Sequence, residues 1–119
     1  MKRGEVYDAS LDPTEGSEQA GVRPVIIVSR DAINVASQVV LAVPCTTYRP
    51  GKRIYPSQVL VHPPDGGLDR DSVAMAEQVR ALAKTRILGL RGIVSSSYLQ
   101  QLDRALLIAL DLPGQVEFE

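Results

Sequence analysis

Two nearly continuous apolar runs, Arg23–Ser29 and Val39–Thr46, constrain the fold of this chain more than any other feature. Val, Ile and Thr are stiff at χ1 and pack well on a pleated surface. Runs of them without polar alternation have the composition of buried strands. Two such strands need a sheet around them and a layer to cover it. Glu5–Leu11 supplies a further strand, with Val6 set among polar neighbours, and Gln58–His62 a short alternating one. Asp71–Arg80 reads as another, with Val73, Met75 and Val79 apolar, and Gly92–Val94 as a last short strand. The second central run is stopped by Pro44 and turns polar at Thr46-Thr47-Tyr48.

The covering layer is a helix near the end of the sequence. Leu99, Leu102, Leu106 and Ala109 recur at helical intervals, and Ala105, Leu107, Ile108 and Leu110 widen the face. Ser97 with Gln100 has capping-box spacing, and Pro113-Gly114 ends the helix. So apolar a helix must lie against the sheet or against a second subunit. Asp31–Ala36 fits one or two helical turns, capped by Ser29 or Asp31 and ended by Asn34 and Ser37. A further short helical turn begins near Lys84-Thr85, and His62–Gly67 is a turn. With 119 residues and no repeat or linker, the expectation is a single domain over 1–119. Its class is α+β, mostly β: a small barrel or curled sheet with short connecting helices and a C-terminal helix.

Composition excludes several chemistries. One cysteine, Cys45, and one histidine, His62, leave no disulfide, no metal cluster and no cysteine–histidine nucleophile pair. The lone cysteine fits a reducing cytoplasm, and no run is long enough to span a bilayer. Four Tyr, one Phe and no Trp argue against recognition by many stacked bases. Net charge is −1, yet residues 21–60 carry five bases (Arg23, Arg30, Arg49, Lys52, Arg53) against one acid. Residues 1–20 carry five acids against two bases, and residues 93–119 four against one. A basic middle between acidic ends suits one polyanion held in a local groove rather than long wrapped duplex.

Where the acidic start meets that middle, Gly16–Pro24 is a polar loop with glycines near both ends and Ser17, Glu18 and Gln19 between them. Arg23 lies at the threshold of the strand that follows. A guanidinium at the root of a strand is permanently charged, rich in donors and suited to a phosphate. A plain surface ion pair between Glu18 and Arg23 explains the same residues equally well. Arg23 is a poor general base but well suited to stabilising charge that develops on a phosphate. Such a site, with Thr46 at a strand end and Glu18 and Gln19 nearby, needs a nucleophile from elsewhere. RNA carries one in its 2′-hydroxyl.

Four segments, in order, resemble the MazF/PemK toxins of bacterial toxin–antitoxin pairs. They are Arg3-Gly4-Glu5-Val6-Tyr7; Gly16-Ser17-Glu18-Gln19-Ala20-Gly21-Val22-Arg23-Pro24; Val43-Pro44-Cys45-Thr46-Thr47; and Asp69-Arg70-Asp71-Ser72-Val73 with Glu77-Gln78-Val79-Arg80. The resemblance implies an SH3-like barrel of the PemK/CcdB type, a homodimer, and a cytoplasmic, sequence-specific endoribonuclease of single-stranded RNA. It implies no metal and no cofactor, and products with 2′,3′-cyclic phosphate and 5′-hydroxyl ends. Arg23 and Thr46 match the family's catalytic pair, and Glu18 or water is left as the general base. Ser17, Gln19, Thr47, Tyr48, Arg49, Gln78 and Arg80 fall where the family holds RNA. The implied protein partner is a cognate antitoxin whose acidic, disordered tail occupies the RNA groove, which the basic middle would attract. The loop Tyr48–Tyr55, with Arg49, Lys52 and Arg53, varies within the family, so the recognised sequence does not carry over. Two alternatives share the fold: a gyrase poison of the CcdB kind, acting through C-terminal residues (here Gln115–Glu119), and a purely binding barrel.

Overall fold

The computed structural model describes residues 1–114; Gln115–Glu119 lie outside the described residues. Seven strands form the sheet: β1 (Glu5–Ser10), β2 (Val22–Ile27), β3 (Val39–Thr47), β4 (Gln58–Val61), β5 (Ser72–Met75), β6 (Arg80–Ala83) and β7 (Ile87–Ile93). Two helices accompany them, α1 (Asp31–Ala36) and α2 (Ser96–Leu110). The strand order is β4-β5-β3-β2-β1-β7, and β6 also pairs with β3. All pairings are antiparallel.

β3 is the spine of the sheet. Its first half (Val39–Ala42) pairs with β6, its middle (Ala42–Pro44) with β2, and its end (Cys45–Thr47) with β5. The strand therefore runs through Pro44 instead of stopping there. Proline lacks an N–H, and Pro44 falls in the gap between the β6 ladder and the β5 ladder, where no donor is required.

The expected single strand Asp71–Arg80 is two strands, β5 and β6, separated by a one-turn 3₁₀ segment at Ala76–Gln78. Register gives the reason. Ala74 faces Cys45 and Arg80 faces Ala42, so six residues of advance on one side match three on the other. The 3₁₀ turn takes up the excess and throws Glu77 and Gln78 out of the sheet.

Alternation along the strands separates two cores. Val6, Ile26, Val43 and Cys45 join Val59, Val61, Leu102 and Ala105 in one, which α2 covers. Ala9, Leu11, Val25, Ile27, Val40, Ala42 and Leu82 form the other. Burial of this much aliphatic surface is the main stabilising term, at about 25 cal/mol per Å². Thus α2 is covered by the sheet, through Leu102 and Ala105, with Leu99, Leu106 and Ala109 partly buried.

Two helix starts differ from expectation. The N-cap of α2 is Ser95, whose hydroxyl accepts from Tyr98 N, and not Ser97, which lies inside the helix. The cap position of α1 is Arg30, with no side-chain cap. Ser29 instead donates its hydroxyl to buried Asn34, whose amide nitrogen donates to the Ser29 carbonyl at 2.9 Å. The helix continues past Asn34 to Ala36, and Ser37 follows it as expected.

Candidate functional site

The β2–β3 register pairs Val25 with Pro44, Ile26 with Val43 and Ile27 with Ala42. Carried two residues further, it sets Arg23 across from Thr46. Alternation places both on the face that holds Val25, Ile27, Val40 and Ala42, so the pair crowns the end of a packed core. Arg23 and Thr46 also border a recess of about 220 Å³, at the sheet end where the two cores meet, together with Thr47, Asp69, Arg70 and Arg91 over Cys45 and Leu68 of the other core. Arg23 is half-buried. Its Nε donates to the Ala20 carbonyl at 3.1 Å, and its terminal nitrogens make no other hydrogen bond or ion pair among the described residues. That single bond to the loop aims the guanidinium while leaving its outer donors available.

The wall opposite is clamped. Arg91 Nε donates to Asp8 Oδ1 at 2.8 Å, and Nη1 donates to the Gly67 carbonyl at 3.3 Å and lies 3.9 Å from Asp69 Oδ1. The Asp8 hydrogen bond holds Arg91 above even the ordinary guanidinium range. Gly67, at φ 68°, passes so close to β7 that a Cβ there would lie 2.1 Å from the Arg91 carbonyl oxygen. Only glycine fits. The Leu68–Arg70 segment that follows is therefore fixed against β1 and β7.

Burial pushes the Cys45 thiol up to about 12, against a smaller opposing pull from Arg91. It is a neutral floor residue and no nucleophile. His62 is exposed, lies 2.8 Å from Asp71 Oδ1, and does not line this recess. Among the described residues no three His, Cys, Asp or Glu side chains group to hold a metal, and no helix is long and apolar enough to cross a membrane.

A second recess of about 410 Å³ lies on the other side of Pro44 and is lined by Ser17, Glu18, Gln19, Glu77, Gln78 and Arg80. Here the 3₁₀ turn meets the polar loop. Gln19 N donates to Gln78 Oε1 at 2.9 Å, and Gln78 Nε2 to the Ser17 carbonyl at 3.4 Å. Arg80 Nη1 donates to the Leu11 carbonyl at 3.2 Å, at the base of the same loop. Glu18 Oε1 accepts from Glu15 N at 2.7 Å. Glu18 and Arg23 thus have separate partners and form no ion pair with each other. Glu18 is also not brought into the recess of Arg23 and Thr46.

A third recess of about 300 Å³ runs from Thr46 and Thr47 past Tyr48 to Arg49, Lys52 and Arg53. Arg53 stacks over the Tyr55 ring at 5.0 Å. Each candidate residue named from the sequence lines one of the three recesses, and β3 borders all of them through Pro44, Thr46 and Thr47. The sequence reading missed Arg70 and Arg91 as residues of the Arg23–Thr46 recess. For Arg70 the signal was its place in the Asp69-Arg70-Asp71-Ser72 segment; Arg91 lay outside any expected element and carried none.

The chain as a whole is similar to known proteins. A family model described as PemK-like, MazF-like toxin of type II toxin–antitoxin system matches residues 2–110. The chain is 41% identical over 117 residues to endoribonuclease MazF9 of Mycobacterium tuberculosis, covering 94% of this chain and 98% of that one. A solved endoribonuclease in complex with its cognate antitoxin, from a mycobacterial species, superposes with TM-score 0.78 at 32% identity, covering 95% and 97%. The fold is also that of MazF from Deinococcus radiodurans, with TM-score 0.80 at 24% identity, covering 94% and 97%.

Proposed function

The chain belongs to the PemK/MazF family of toxins from type II toxin–antitoxin systems, and from that premise we propose an endoribonuclease that cuts single-stranded RNA and is neutralised by a cognate antitoxin. The observation that carries the reading is the opposition of Arg23 and Thr46 in one recess, with the outer guanidinium donors uncommitted.

The chemistry follows from those two groups. The 2′-hydroxyl on the 5′ side of the cut attacks the adjacent phosphorus. The P–O2′ bond forms, the P–O5′ bond breaks, and the 5′ oxygen leaves as it takes a proton from water. The products are a 2′,3′-cyclic phosphate and a 5′-hydroxyl. Charge grows on the non-bridging oxygens, and Arg23 donates to them where that growth is largest. The Thr46 hydroxyl donates to the same phosphate. The nucleophile belongs to the substrate, so the step balances without metal or cofactor. The proton of the 2′-hydroxyl goes to water or to Glu18. For Glu18 the polar loop has to swing inward and release Glu15 N, between Gly16 and Gly21 at positive φ.

Ser17, Gln19, Gln78 and Arg80 hold one side of the RNA strand, and Thr47, Tyr48 and Arg49 the other. The basic recess at Arg49, Lys52 and Arg53 receives the acidic tail of the antitoxin, so inhibitor and substrate compete. The protein acts in the cytoplasm as a homodimer. The dimer is supported by β7, an edge strand exposing Leu88, Leu90 and Ile93 at about 60% each.

Purified protein incubated with long single-stranded RNA in excess chelator, beside Arg23→Ala, tests the assignment. Discrete cuts with 5′-hydroxyl ends are expected from the wild type, and a loss of at least roughly a hundredfold in the variant. Wild-type cutting by a folded Arg23→Ala variant would remove Arg23 from the chemistry, and intact RNA with both proteins would favour a barrel that only binds.

A further inference from the structure

Three guanidiniums and one carboxylate line the Arg23–Thr46 recess: Arg23, Arg70 and Arg91 against Asp69. One phosphodiester carries one negative charge, which Arg23 and Thr46 suffice to meet. Arg91 is committed to Asp8, to the Gly67 carbonyl and, more loosely, to Asp69, so it shapes the wall. Arg70 differs. Its side chain has no hydrogen bond or ion pair among the described residues, although its backbone is held firmly. The Arg70 carbonyl accepts from Ser72 Oγ at 3.0 Å, the next carbonyl, of Asp71, accepts from Tyr48 N at 2.8 Å, and Leu68 two residues earlier is a core residue.

An anchored stem with a free guanidinium is the arrangement of a ligand-binding arginine rather than of a structural one. On a single strand whose scissile phosphate lies at Arg23 and Thr46, the anions in reach of the neighbouring wall are the two adjoining phosphates. We infer that Arg70 binds one of the phosphates adjoining the scissile one, so that the recess grips two consecutive phosphates. The inference rests on the proposed ribonuclease reading and adds to it a register: the strand is held on both sides of one ribose. With the 5′ adjoining phosphate, the sugar so fixed carries the attacking 2′-hydroxyl and its rotation toward phosphorus is limited; with the 3′ one, it is the sugar of the leaving 5′ oxygen.

The test uses an RNA oligonucleotide carrying the mapped cut sequence, with a 2′-deoxy sugar at the attacking position so that it binds uncut. Two further versions carry a neutral methylphosphonate at the 5′ or the 3′ adjoining phosphate. Binding is read by fluorescence anisotropy for wild type, Arg70→Ala and Arg70→Lys, all checked for wild-type melting by circular dichroism. One of the two neutral linkages should weaken wild-type binding roughly tenfold, Arg70→Ala less than about twofold, and Arg70→Lys in between. With the all-phosphate strand, Arg70→Ala should lower the slope of log K on log salt by about 0.7. Equal losses in wild type and Arg70→Ala at both linkages would overturn the assignment. If that happens while the wild type still cuts unmodified RNA, the ribonuclease reading stands and Arg70 alone is wrong. If the wild type neither cuts nor binds RNA, both fall.

Discussion

Cys45 stands next to Thr46 in β3 and on the opposite face, and complete burial holds its thiol in the neutral form. An unfolded chain releases that proton at an ordinary thiol value, whereas the native chain keeps it up to about 12. Between those limits the unfolded state binds fewer protons, so stability is unaffected below the lower one and falls as pH rises through the window, by about 1.4 kcal/mol per unit. Tyr7, also raised, adds its own loss at higher pH. Urea unfolding from pH 8 to 10 should show the loss set in near the ordinary thiol value and steepen toward that slope in the wild type, and Cys45→Ala should flatten it. A slope that survives in Cys45→Ala would assign the alkaline loss to other groups. At this scale the sequence is most legible in placement, as for Arg23 and Thr46 near strand ends. It is least legible for Arg91, whose neighbours Asp8 and Asp69 come from distant segments joined only by folding.

Strands β2 and β3 are readable because their apolar runs are unbroken, and β7 is not, for the opposite reason. Its leucines face outward and Gly89 and Gly92 interrupt it, so only Gly92–Val94 looks like a strand where the structure has Ile87–Ile93 along β1. The splitting of Asp71–Arg80 is likewise invisible locally. Val73, Met75 and Val79 preserve an apparent alternation across a three-residue turn that only the pairing with β3 demands. The outward leucines carry a consequence of their own. A water-exposed apolar edge strand invites a partner. Leu88→Glu together with Leu90→Glu should convert the proposed dimer to a monomer in size-exclusion chromatography with light scattering, with little change in far-UV circular dichroism. A double variant that stays dimeric would place the subunit contact elsewhere.

Over the whole molecule, a net charge near zero hides a division of labour. The cations of the Arg49–Arg53 loop border one recess, and the Arg23–Thr46 pair sits in the next. Reversing Arg49, Lys52 and Arg53 to Glu should weaken single-stranded RNA binding in a salt-dependent way, reducing the log–log slope by about 0.7 for each phosphate that is no longer neutralised. Titration of binding between 50 and 300 mM salt checks it, and an unchanged slope would take the loop out of the groove. The three recesses meet along β3, whose Pro44 pairs with β2 and whose Thr46 and Thr47 pair with β5, while the loops holding Ser17–Gln19 and Arg49–Arg53 supply the outer walls of two of them. Inheritance can act on these parts unequally. Mutations that accumulate in either loop would alter what is bound without reaching the Arg23–Thr46 pair proposed to cut, so descendants of one such barrel could diverge in target, and escape one another's inhibitors, around one proposed chemistry.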